Sequence, residues 1–210
     1  MDKDDPFSIF KEDIGAPYLS KEVPASSIEK YKGILPAKLL EYWHTEGWSG
    51  YSNGLIWTVN PDDYSSILEH WIEGTALSDK DGLYVFARTA FGKLYVWSKS
   101  VGDYIVITPY YNNIFAPQLQ YIGQTDESDL NIEMFFLNAN KEDFDIENDD
   151  GEYLFDSLLE KLGPLKEEEL YGFEPALILG GTETADNLKK LDLIVHLSIL
   201  RNFSEPEVYG

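Results

Sequence analysis

Cysteine is absent from the 210 residues, methionine occurs twice and histidine three times. Without cysteine there is no disulfide, no thiolate metal site and no thiol nucleophile. Basic residues are scarce as well: sixteen lysines and arginines face thirty-eight aspartates and glutamates, a formal net charge of −22. A surface of that sign repels nucleic-acid phosphates and anionic lipid, so direct binding to either is not expected. Long apolar runs are missing too. No stretch reaches the roughly 20 residues needed to cross a bilayer. The start, MDKDDPFSIFKED, has neither the basic n-region nor the apolar h-region of a secretory signal. Together these absences predict a cytoplasmic protein with no metal and no cofactor.

Catalytic patterns are equally sparse. His44 and His70 stand on predicted helices beside tryptophans, His196 stands inside an apolar stretch, and no pair has the i, i+4 spacing of a zinc helix. There is no G-x-S-x-G elbow. ILGGTETADN lacks both the phosphate-loop lysine and the dinucleotide glycine pattern, and reads as a turn at Gly180-Gly181 into a helix capped by Thr182 or Thr184. DFDIENDDGEYLFDSLLE resembles a calcium loop only superficially. Setting Gly151 at the sixth position puts Ile146 where the first aspartate belongs and Ser157 where the closing glutamate belongs. Nothing here predicts an enzyme.

What is present is material for a core: 43% of residues are hydrophobic and 14% aromatic, which places the chain among globular proteins. The first twenty residues read as a loosely held lead-in with Phe7, Ile9 and Phe10 as anchors. Ser26 and Glu29 have capping-box spacing for a short helix. LPAKLLEYWHTEGW predicts a second helix, with Leu39, Leu40 and Trp43 on its apolar stripe and Gly47 at its end. NPDDYSSILEHWIEG predicts a third, capped by Asn60. GLIWTVN reads as a strand. GLYVFARTA, KLYVWSKS and DYIVITPYYN read as a three-stranded antiparallel meander, with Tyr84 and Phe86 on one face and Leu83, Val85 and Ala87 on the other. Further helices are predicted over 127–137 and from Leu154 to Leu162. The apolar run between Leu188 and Leu200 reads as a deeply buried last helix.

The fold class that follows is α+β: an antiparallel meander sheet packed with helices from both ends of the chain. Residues 1–115 form its first region, 116–150 an acidic connection and 151–203 a helical C-terminal region, as one compact unit.

Trp43, Trp48, Trp57 and Trp71 fall on consecutive elements that must pack together, and read as a structural aromatic seam in which each indole N–H needs one partner. Gly47, Gly50 and Gly54 would let the chain turn between these bulky groups. The alternative is an aromatic pocket for a small ligand.

KEDFDIENDDGEY is the densest run of one sign. Glu142, Asp143, Asp145, Glu147, Asp149, Asp150 and Glu152 carry no intervening base, and Phe144 and Ile146 alternate with them. Read plainly it is a solvated loop. Read for function, like charges that repel one another gain by pairing with lysine or arginine on a partner, with Phe144 and Ile146 as apolar anchors.

The string ILPAKLLEYWHTEGWSGYSNGLIWTVNPDDYSSILEHWI, continued by RTAFGKLYVW, resembles the GAD-like domain. LFDSLLEKLGPLKEEELYGFEPALILGGTETADNLKKLDLIVHLSIL resembles the C-terminal module of immunity proteins against type VI secretion DNase toxins. The marks that carry it are L-G-P-L, Glu-Leu-Tyr-Gly-Phe-Glu-Pro at 169–175, the paired glycines and the leucine-rich end. The resemblance implies a bacterial immunity protein that binds a basic toxin, a nuclease, stoichiometrically and occludes it. It brings no catalytic residue. The rival reading is a non-catalytic ligand-binding or regulatory module using the aromatic pocket. Self-association through a sheet edge is left open.

Overall fold

The computed structural model describes residues 5–116 and 127–210. Seven strands cross one sheet in chain order: β1 (Pro17–Lys21), β2 (Trp48–Tyr51), β3 (Ile56–Thr58), β4 (Leu83–Thr89), β5 (Leu94–Ser98), β6 (Asp103–Thr108) and β7 (Asn113–Phe115). Each pairs antiparallel with the next. A separate antiparallel pair is made by β8 (Glu169–Phe173) and β9 (Leu188–Asp192). β10 (Glu207–Tyr209) then returns to the large sheet and runs parallel to β7. The class is α+β, as expected, and the meander is longer than the three strands the alternation picked out.

The helices are α1 (Pro6–Ile14), α2 (Ala25–Tyr31), α3 (Ala37–Glu46), α4 (Ser65–Ile72), α5 (Ser128–Leu137), the short α6 (Lys141–Phe144), α7 (Phe155–Leu162) and α8 (Leu193–Arg201). Local chemistry sets several ends. Asp5 accepts from the Ser8 amide to start α1, and Asp192 accepts from the Val195 amide to start α8. Asn60 accepts from the Asp62 amide, as predicted, and Gly47 closes α3 at a φ of +76°.

The expected loose lead-in is instead a core element. Phe7, Phe10 and Ile14 of α1 are fully buried, whereas Ile9 stays half-exposed. Phe7 and Phe10 pack on Tyr42, Tyr51 and Phe136 with ring centroids 4.6–5.9 Å apart, so α1 joins α3, β2 and α5. Such long-range packing outweighs the acidic, turn-like local sequence. The Ser26–Glu29 capping box does not form, because Pro24 occupies the cap position of α2 and Ser26 lies inside the helix.

A bulge between Val85 and Ala87 interrupts the simple alternation expected along β4. Gly50 is not a turn residue. It lies within β2, and a Cβ there would stand 2.9 Å from the Trp57 ring, so the glycine makes room for the indole.

The stretch after Gly180-Gly181 also differs from expectation. A single short 3₁₀ turn, Ala185–Asn187, leads into β9, not a helix, with Leu188 buried and Lys189 exposed. α8 begins only at Leu193. Its Leu193, Leu197 and Leu200 face inwards, while Val195 is 57% exposed and Ile199 47%. Burial of this run is therefore one-sided. α8 is fixed to α4 by the Trp71 indole, which donates to the Leu197 carbonyl at 3.2 Å, and by Arg201, which donates to the His70 and Glu73 carbonyls.

One buried cation joins β4 to the segment that precedes β8. Arg88 on β4 has no solvent exposure. Its guanidinium lies 4.7 Å from the Trp57 ring centre and donates to the carbonyls of Lys166, Glu167 and Thr89, at 2.6 Å for Glu167. Burial pushes its pKa down, with Tyr64, Glu167 and Glu168 acting in the opposite sense. Arg88→Ala would leave a void and strand the carbonyls, so a loss of about 2–5 kcal/mol is expected. A lower urea midpoint at unchanged slope is the outcome that checks it.

Candidate functional site

The acidic run folds into a tight loop held by its one neutral polar residue. The side-chain carbonyl of Asn148 accepts from the amides of Asp150 and Glu152 at 3.0 and 2.9 Å. The Asn148 amide in turn donates to the Glu152 carbonyl at 2.9 Å, and Gly151 turns the chain at a φ of +80°. Glu147 bridges to Tyr153, and the Leu154 amide returns to the Ile146 carbonyl. Because asparagine supplies the loop's own hydrogen bonds, the carboxylates of Glu147, Asp149, Asp150 and Glu152 face solvent.

The nine predicted contact residues therefore separate into two groups. Glu142, Asp143, Glu147, Asp149, Asp150 and Glu152 are exposed, and none has an ion-pair partner among the described residues. Asp143 has a structural task too: it and Asn140 form a reciprocal capping box on α6. Phe144 and Ile146 are not apolar anchors for a partner. They are 2% and 4% exposed and belong to the core, Phe144 packing on Tyr95 and Phe135. Alternation of apolar and acidic residues here marks chain passing along the core edge.

Asp145 also leaves the contact set. It points inwards and accepts from the amides of Ile146 at 2.7 Å and Phe155 at 3.0 Å, which ties the loop to the first turn of α7. Burial pushes its carboxyl up to about 6, with those amide bonds working against the shift.

Sequence reasoning missed the continuation of the acidic surface. Asp156 and Glu160, one helical turn apart on α7, line with Glu152 and Tyr153 a concavity of about 660 Å³ that reaches Asp186. Lys161 pairs with Asp186 at 2.7 Å; it is the cation beside this rim. The i, i+4 spacing of Asp156 and Glu160 opposite buried Leu158 was the available signal.

The four seam tryptophans do not form one cluster. Trp43 and Trp48 meet edge to face at 5.6 Å. Trp57 stacks under Arg88 and donates to the Gly54 carbonyl, and Trp71 belongs to the α4–α8 contact. Trp43, Trp57 and Trp71 are at most 2% exposed. The indole N–H groups of Trp43 and Trp48 lack the partner expected for them among the described residues. His196 lies against Gly172, and burial holds its pKa below the usual histidine range. Among the described residues, no group of three or more carboxylates and histidines is placed to hold a metal, and no helix is long and apolar enough to cross a membrane.

Two family models match the sequence in succession. The GAD-like domain matches residues 5–111, and the model described as T6SS immunity protein Tdi1, C-terminal, matches residues 129–204. No curated protein matches. Among solved structures, the crystal structure of Atu4351 from Agrobacterium tumefaciens is similar at a TM-score of 0.85 and 22% identity, covering 97% of this chain and 91% of that one. At that identity the likeness concerns the fold.

Asp145 yields a pH test. An acid whose folded pKa is raised binds more protons folded than unfolded between about 3.8 and about 6, so its term gains stability as pH falls through that window. Asp145→Asn keeps an oxygen for both amides but cannot titrate. Wild type is expected to gain on Asp145→Asn as pH falls from 7 to 4, measured as the difference of their urea-derived stabilities. A flat difference would contradict the buried placement.

Proposed function

The chain belongs to the GAD-like domain family and continues into the C-terminal domain of type VI secretion immunity proteins, and from that premise we propose that it neutralises a cognate basic toxin by stoichiometric binding. The toxin is a nuclease in this reading, and the protein turns over nothing. It acts in the cytoplasm, without contact to nucleic acid or membrane of its own.

The observation that carries the proposal is the set of unpaired carboxylates on a braced loop. Glu147, Asp149, Asp150 and Glu152 project from a turn fixed by Asn148, and Asp156 and Glu160 extend the same sign along α7. A nuclease needs a cationic cleft to hold phosphate. A pre-shaped anionic ridge fits such a cleft, neutralises it and fills the volume that substrate would occupy. Bracing matters because a loop already ordered loses little conformational entropy on docking. The net charge of −22 adds a long-range field that speeds encounter.

Asp149, Asp150 and Glu152 are the residues to change, because among the described residues no hydrogen bond or ion pair of their side chains holds the loop. Simultaneous reversal to lysine is expected to slow association with the cognate toxin domain on the order of tenfold at low salt, and to flatten the salt dependence. Stopped-flow mixing of the purified partners reads both. Unchanged association would remove the ridge from the contact and place it on another face.

A further inference from the structure

Lysines in this chain are mostly neutralised by carboxylates: Lys11, Lys21, Lys30, Lys38, Lys161 and Lys189 each pair with one. Lys93 is different. It stands half-buried at the turn into β5, and its Nζ donates to the main-chain carbonyl of Asp143 at 3.1 Å. No carboxylate oxygen lies within 4.0 Å of it among the described residues. Burial pushes its pKa down, and the Asp143 charge offsets only part of that. An ammonium held by a single carbonyl dipole has two further N–H donors and an unmet demand for negative charge.

This lysine lines a cavity of about 660 Å³ between β5–β7 and the α5–α6 segment. The size suits a small organic ligand. Tyr95, Tyr104, Phe135 and Phe144 supply its aromatic wall, with Phe135 5.0 Å from Tyr95 and 5.3 Å from Tyr104, both near perpendicular. Rings set edge to face in this way offer slots for another flat ring. The hydroxyls of Tyr95 and Tyr104 make no hydrogen bond within the described residues, and burial pushes both phenols up, so each stays a donor.

The rim limits the charge of an occupant. Asp103 and Asp143 both line the cavity, Asp103 accepting from the Tyr104 amide and Asp143 from the Asn140 amide. Lys93 is the single cation among the described lining residues. A phosphate dianion would meet the Asp143 carboxylate beside the one ammonium, whereas a single carboxylate matches the available donors.

We propose that this cavity binds a planar aromatic monocarboxylate, with its ring against Tyr95, Tyr104 and Phe135 and its carboxylate on the Lys93 ammonium and the tyrosine hydroxyls. The site is separate from the acidic ridge and does not depend on toxin neutralisation.

2-Naphthoate and its uncharged methyl ester are the probes, titrated into the full chain by calorimetry and by side-chain NMR. The acid is expected to fill one site, to shift the resonances of Tyr95, Tyr104 and Phe135, and to bind more tightly than the ester. Lys93→Met keeps the apolar stem and should weaken the acid roughly tenfold while leaving the ester unchanged. Lys93→Arg should restore most of the loss, and Tyr104→Phe should cost a few-fold without disturbing the packing. Equal binding of the acid to wild type and Lys93→Met overturns the proposal. So do absence of binding at millimolar probe, and shifts confined to the exposed α8 side chains Ile194, Val195 and Ile199.

Discussion

The buried guanidinium of Arg88 is the constraint around which the rest is arranged. A charge without solvent must find fixed dipoles, and here they come from the Lys166 and Glu167 carbonyls on a segment far along the chain, with the Trp57 face beneath. Those two bonds hold the Lys166–Glu167 segment against β4, while the buried Arg88 Nε has no partner among the described residues. The start of β8 follows that segment, and the Tyr171 amide then bonds to the Ala90 carbonyl just beyond β4. The stretch matched by the GAD-like model and the stretch matched by the immunity model are thus coupled through a polar contact inside the core.

The same economy explains where the carboxylates go. Those drawn inwards have fixed partners, main-chain amides for Asp145 and the Lys11 ammonium for Glu46. The others are kept outside by letting asparagine and glycine shape the backbone. Asn148 does for the acidic loop what an aspartate commonly does in such turns, and it does so without adding to the local repulsion. A surface of one sign is therefore made rigid by residues that carry no charge.

Legibility in the sequence followed the range of the forces involved. α3, α4 and β4 to β6 could be read because their apolar spacing and caps are local. α1 could not, since Phe7 and Phe10 are placed by rings from Tyr51 and Phe136. β9 was hidden inside an apolar stretch whose strand character comes from pairing with β8. Phe144 and Ile146 were legible as apolar but not as inward, because period-two alternation gives two faces without saying which one is wet. Sign and density of charge located the acidic ridge. Its extension to Asp156 and Glu160 was open to their helical spacing, but the reach to Asp186 depends on how α7 packs beside the 184–186 turn, which no window of sequence contains.

β10 lies parallel to β7 although Glu207 is far downstream of Asn113. Parallel neighbours need a long crossover, and this one takes in α5 to α8. During synthesis, then, the β7 side of the sheet stays uncapped while nearly the entire downstream half emerges. Until Glu207–Tyr209 pairs, the border at β7 is open to a sticky neighbour; once it pairs, the border passes to β10, which is only three residues long and leads with the charged Glu207.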